Sequence, residues 1–271
     1  MPNAIVTTPP SVAFYVAIFG YVLATVFYLG AMNSAREWMR KAAWMTLVAA
    51  FVAHGVDIGW RGVEKVHPGT SVRESLGFLS WIVVGAYLYL SRRDTLVVLG
   101  AFIAPLSLII LAAARLSPSG EAMTGLSSLG RIHIASATVG LAIFSLATAV
   151  SVVYLLQERN LKKKKFDGLI FKSSAALETL DTLSARLVSI GFPIFTFSMM
   201  LGGVWVAQLQ QGWNRIEYPI SAITWVAFGV LIAGRRLRGL QGRRAALVTI
   251  VGFFSALVVL AIYLLRRTMV E

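Results

Sequence analysis

The chain carries three histidines, His54, His67 and His133, and no cysteine. Thiolate ligation, disulfides and thiol catalysis are thereby excluded, and imidazole is left as the side chain best suited to bind a metal or move a proton. Asp57 follows His54 by three residues on nearly the same helical face, and Trp60 follows by six, which sets His54 about 9 Å deeper along the helix axis. A His and an Asp inside hydrocarbon need partners, because an unpaired polar group there costs roughly several kcal/mol. They either serve a site or hydrogen-bond each other or a neighbouring helix. His67, beside Pro68 and Gly69, reads as a turn residue, and His133 opens an apolar run as either a ligand or an interfacial residue.

Around these histidines stand residues able to wall and rim a slot. Trp60, Trp81, Trp205, Trp213 and Trp225 fall on or towards the side that holds the histidines, while Trp38 and Trp44 mark the opposite boundary. An aromatic belt accounts for most of them, but Trp81 and Trp225 lie about two turns inside short apolar runs, deeper than a belt requires. Arg61, Arg73, Arg131 and Arg215 flank the same side. Imidazole donors, flat apolar walls and guanidinium groups together match what a haem needs: axial ligation, aromatic contact and charge-assisted bonds to two propionates. Zinc is a poorer match, since only His54 and Asp57 have ligand spacing, and a proton path through that pair finds no matching carboxylates in the other apolar runs. No phosphate-binding glycine loop and no Ser-His-Asp constellation is present. Gly202-Gly203 reads as close helix packing, Pro105 and Pro193 as helix kinks, and Met199-Met200 as packing residues.

The elements that must position these residues are membrane helices. The 271 residues are 57% hydrophobic and only 14% charged, a balance that needs lipid to cover it. Apolar runs predict an all-α membrane bundle of about eight helices, at roughly 11–32, 42–60, 75–91, 95–116, 131–156, 186–209, 218–234 and 244–266. The first is a retained helix: no basic residue precedes it, and Arg36, Arg40 and Lys41 follow it. The +13 net charge does not signal nucleic acid, because the basic residues cluster in short segments between the runs. About two-thirds of them fall in segments on one side, among them Arg92-Arg93, Lys162 to Lys165, Arg235-Arg236 and Arg243-Arg244, which places both termini outside. The whole chain reads as one membrane domain, with a basic, amphipathic inner segment at about 157–183 held on anionic lipid.

From the fifth helix onward the chain resembles the cytochrome c assembly family, the haem-handling membrane proteins of the CcsA and CcmC type and their HemX-like relatives. The likeness rests on Arg131-Ile132-His133-Ile134 with Gly140-Leu141-Ala142-Ile143-Phe144, and on Leu177-Glu178-Thr179-Leu180-Asp181-Thr182-Leu183 leading into Ile190-Gly191-Phe192-Pro193-Ile194-Phe195-Thr196. It continues in Gly202-Gly203-Val204-Trp205-Val206-Ala207, Ile223-Thr224-Trp225 and Gly242-Arg243-Arg244-Ala245-Ala246, in the family's order over about half the chain; the earlier helices match by hydropathy and by His54. In that family a tryptophan-rich outer loop supports haem between two outer histidines. His133 matches the first of these, whereas the loop here, Gly212-Trp213-Asn214-Arg215-Ile216-Glu217-Tyr218-Pro219, keeps one tryptophan, and no histidine follows the seventh helix. The pattern is nearest the HemX-like branch.

The resemblance implies a haem-handling protein of the bacterial cytoplasmic membrane acting in c-type cytochrome biogenesis. His54 would be the buried axial ligand and His133 the outer one, with Trp81, Trp205, Trp213 and Trp225 as walls and Arg131 and Arg215 as propionate partners. Expected partners are lipid, haem, other cytochrome c biogenesis membrane proteins and apocytochrome c. Covalent haem attachment needs reduced cysteines on an apocytochrome, and this chain has no thiol chemistry of its own to offer, so an assembly factor is expected rather than an enzyme. The alternatives are a HemX-like membrane regulator or partner in haem biosynthesis, and a small-molecule transporter, which internal symmetry would favour.

Overall fold

A computed structural model describes residues 11–33, 36–64, 66, 71–91, 97–116, 127–164, 175–208 and 215–270, without the side chains of residues 33, 72, 97 and 263–270. The described residues form helices and no strand: α1 (Val12–Asn33), α2 (Glu37–Val63), α3 (Val72–Leu90), α4 (Val97–Leu116), α5 (Ser128–Lys162), α6 (Leu177–Gln208), α7 (Glu217–Arg238) and α8 (Gly242–Val270). All but α3 are long and apolar enough to cross a membrane. With no water in the bilayer core, backbone groups have to pair within each segment, and helices are what such sequences form.

The helices fall into two compact units, α1 to α4 and α5 to α8. In the first, α1 packs on α2 and α4, and α3 on α4 and α2. In the second, α5 packs on α6 and α8, α7 on α8 and α6, and α6 also touches α8. Each unit is therefore a closed circuit of sequential neighbours, as short connections between antiparallel helices produce. The sequence shows no trace of this shared wiring. It is generic to four-helix bundles, and it lends the transporter reading no support.

Serines set where three of the helices begin. The Ser11 hydroxyl accepts from Phe14 N at 3.1 Å and Ser71 accepts from Glu74 N at 3.2 Å; Ser127 does the same for Gly130 N, also at 3.2 Å. The α7–α8 turn uses Gly239 at φ 61°, a left-handed conformation that glycine adopts without a Cβ clash, and Leu240 N donates back to Gly234 O at 3.0 Å.

The apolar runs locate every helix but understate several of them, α5 and α6 most. α5 runs on to Lys162 and α6 starts at Leu177, so both continue past the stretch that hydropathy marks for lipid. Of the expected inner segment, 157–162 continues α5 and 177–183 opens α6; residues 165–174 lie outside the described residues. Polar pairs keep these extensions helical, Lys162 donating to Glu158 at 2.7 Å and Arg235 donating to both oxygens of Asp181 at 3.2 Å. Gly242 N also donates to Asp181 Oδ1 at 3.2 Å, so one carboxylate joins α6, α7 and the start of α8.

Candidate functional site

His54 lies nine residues before the end of α2 and is 1% exposed. It does not bond to Asp57. Its Nδ1 is 3.1 Å from the Tyr21 hydroxyl of α1, and the two rings meet edge to face. The other nitrogen, Nε2, faces Gly77 of α3, where even a built Cβ would stay 3.9 Å away. Asp57 is engaged separately, accepting from the Ser11 hydroxyl and, at 3.3 Å, from Arg61 Nε. Arg61 in turn donates to Glu74 in the first turn of α3. Ser11 caps α1 and bonds Asp57 with the same hydroxyl, so α1, α2 and α3 are joined at this end by one polar network.

Beside the network is a cavity of about 20 Å³, lined by His54, Asp57, Arg61, Arg73, Glu74 and Arg115 among others. That is room for about one water-sized group. A porphyrin could reach His54 there only if the surrounding helices separated. Trp81 packs about one turn below Gly77 on α3, stacked on Phe51 at 4.8 Å with its Nε1 donating to Phe51 O at 3.0 Å. Gly55 makes this possible, since a Cβ there would come 3.1 Å from the Trp81 nitrogen.

In the second unit His133 sits in the second turn of α5, behind the Ser127 cap. Its Nδ1 is 2.8 Å from the Ser198 carbonyl of α6. A carbonyl only accepts, so Nδ1 bears the proton and the lone pair of the neutral ring is on Nε2. Anchoring one imidazole nitrogen to a backbone oxygen is how ligating histidines are held in orientation. The Ser198 hydroxyl donates to the His133 carbonyl at 3.2 Å, which ties the same two helices again. Trp205 stands 5.9 Å from the imidazole, centroid to centroid. Gly202 lets α6 approach: a Cβ there would lie 2.7 Å from His133 Cε1. Close packing at this glycine is thus packing against the histidine itself.

The remaining expected residues are dispersed. Arg131 is exposed in the first turn of α5, and Arg215 is partly buried just before α7. Trp225 donates to Thr196 Oγ1 at 2.9 Å and stacks on Phe192 at 5.6 Å, a pairing of α7 with α6. Thr196 precedes Trp205 by nine residues, about 13 Å along α6, so Trp225 and Trp205 do not share one wall by that route. Trp213 and His67 lie outside the described residues. Tyr21, Ser198 and Arg115 were invisible to sequence reasoning, because a hydroxyl, a backbone carbonyl or a helix-end arginine gains meaning only from the helix facing it.

An imidazole with its distal nitrogen available and an indole beside it form a donor set that fits axial ligation of haem at His133. Among the described residues no group of three His, Cys, Asp or Glu side chains could hold a bare metal ion.

Compared with known proteins, residues 70–270 match the family model described as cytochrome C assembly protein. The cytochrome c biogenesis protein CcsA of Guillardia theta is 24% identical over 267 residues, covering 89% of this chain and 84% of that protein. The CcsA of Chlamydomonas reinhardtii is 29% identical over 201 residues, covering 69% of this chain and 55% of that protein. Protein HemX of Bacillus subtilis is 27% identical over 240 residues, covering 84% and 85%.

Proposed function

We propose, from the premise that this chain belongs to the cytochrome c assembly protein family, that it handles haem in the bacterial cytoplasmic membrane as a non-enzymatic component of c-type cytochrome biogenesis. The observation that carries this reading is the His133 imidazole, held by the Ser198 carbonyl at 2.8 Å with its second nitrogen free for a ligand and Trp205 alongside. Haem, when bound, supplies an iron that accepts imidazole nitrogen. The chain's own residues orient that nitrogen, offer an aromatic face and exclude water. His54 is the second axial candidate, positioned by Tyr21, and Arg131, Arg215, Trp81, Trp213 and Trp225 are retained as contacts to test. Both termini lie outside in this reading, which takes all eight helices across the membrane, including α3, the one that length and apolarity alone do not mark as a span. Other biogenesis proteins and apocytochrome c would meet the chain on that outer side.

The test is an absorption titration of the purified protein with haem, beside His133→Ala and His54→Ala. A Soret band in wild type, weakened about tenfold or more in His133→Ala, is expected. Absence of the band in wild type overturns the reading.

A second reading, a membrane partner in haem biosynthesis, draws on the HemX similarity, which spans 84% of this chain. It requires altered tetrapyrrole levels with normal c-type cytochromes in a deletion strain, whereas the first requires loss of the cytochromes.

A further inference from the structure

The turn between α7 and α8 gathers arginines that the haem reading leaves unused. Arg235, Arg236, Arg238, Arg243 and Arg244 fall within ten residues. The Arg235 side chain is 11% exposed and committed to Asp181, which also takes Gly242 N, so the turn is held against α6. The other four are exposed, and among the described residues none of them has a carboxylate partner. Of the described carboxylates at this end of the unit, Glu158 is taken by Lys162 and Asp181 by Arg235, which leaves Glu178 alone against four guanidinium groups. The four stand at the edge of a lipid-facing surface. On α7, Ile223, Val226 and Val230 are exposed at helical spacing, and Leu237, 83% exposed between Arg236 and Arg238, prolongs that stripe. On α8, Leu247, Val251 and Phe254 form a matching stripe, and Arg243 and Arg244 stand one turn before it. Two consecutive helices therefore bring their exposed apolar stripes to one cluster of guanidinium groups. The lysines that end α5 do not share this place. Tyr154 lies against Gly242, where a Cβ would come 3.0 Å from its hydroxyl, and Lys162 is eight residues, about 12 Å, further along α5.

We infer that the α7–α8 turn binds an intact anionic phospholipid, its phosphate held by Arg236, Arg238, Arg243 and Arg244 and its acyl chains laid along the α7 and α8 stripes. Guanidinium presents two parallel N–H donors to a phosphate, which an ammonium does not reproduce. The arginines therefore specify phosphate, where the α5 lysines supply only positive field. Apolar stripes that run up to the cluster call for an occupant with a hydrocarbon body, and that selects a lipid over free phosphate or an acidic protein segment. The site goes beyond the haem reading and shares no residue with it, so neither stands or falls with the other.

The experiment measures lipid retained by the full-length protein in neutral detergent, by native mass spectrometry, with phosphatidylglycerol and phosphatidylcholine of the same acyl chains as probes. Wild type should hold phosphatidylglycerol about tenfold more tightly than phosphatidylcholine. The combined Arg236→Gln, Arg238→Gln, Arg243→Gln and Arg244→Gln variant should hold both equally, and Lys163→Gln with Lys164→Gln should keep the preference. A glutamine variant of the four arginines that retains the wild-type preference overturns the site, as does a lysine-pair variant that abolishes it. Should the fourfold glutamine variant not fold, Arg236→Lys, Arg238→Lys, Arg243→Lys and Arg244→Lys together decide: a preference narrowed several-fold supports guanidinium recognition, and an unchanged one overturns it. Glycerol phosphate that displaces the lipid at equal concentration identifies a soluble phosphate as the occupant and overturns the lipid. Equal retention of both lipids by wild type also overturns it and leaves the turn to an acidic protein partner.

Discussion

Two imidazoles are held here by opposite strategies. His54 is enclosed and shares a hydrogen bond with a tyrosine hydroxyl that could donate or accept, so its tautomer is open. His133 faces a carbonyl, and its tautomer is fixed. Gly202 enforces that arrangement, and Gly202→Ala would drive a methyl group against the ring. The expected result is haem affinity reduced about tenfold with the helical fold intact, read from the Soret titration and far-ultraviolet circular dichroism; unchanged affinity would mean that α6 yields and the glycine sets nothing. The sequence offered His54, Asp57 and His133 as conspicuous polar residues in apolar runs. Their mates stayed hidden because serine and tyrosine are unremarkable in membrane helices, and because the acceptor at Ser198 is backbone. Of the two structural alternatives, a His54–Asp57 bond or bonds to a neighbouring helix, the structure takes the second: His54 pairs with Tyr21 of α1, and Asp57 with Ser11, which caps α1.

At the scale of helices, apolar runs made all eight helices legible, and all but α3 are long and apolar enough to cross lipid. Hydropathy carries no information about a helix that continues into water, and so the far ends of α5 and α6 were missed. Those extensions are held by the Asp181 carboxylate, which takes two bonds from Arg235 and one from Gly242 N. Asp181→Asn keeps the shape but removes the charge, and Arg235 is left 11% exposed beside a neutral amide. A loss of about 2–3 kcal/mol is expected, visible as a lower thermal midpoint in detergent. A midpoint within error of wild type would show that solvent screens the pair. Gly239→Ala at the neighbouring turn should cost about 1 kcal/mol for its positive φ alone, which makes it a useful standard in the same melting series.

At the scale of the molecule, basic residues decide orientation, and the chain is suited to a direct check. It has no native cysteine, so single cysteines can be introduced without background labelling. A cysteine at Arg159 or Arg238 should react with a membrane-impermeant maleimide only after the membrane is opened, and one at Arg215 should react in intact cells. The reverse pattern would put His133 on the cytoplasmic side and end the proposal of an outward site. The circuit of packed helices has a further meaning for biosynthesis. The helices on which α1 packs, α2 and α4, are both made by the end of α4, so the first bundle can close while the ribosome is still translating α5. The nascent chain would then enclose His54 against Tyr21 before His133 exists, and the first imidazole would already be shielded when the second is made.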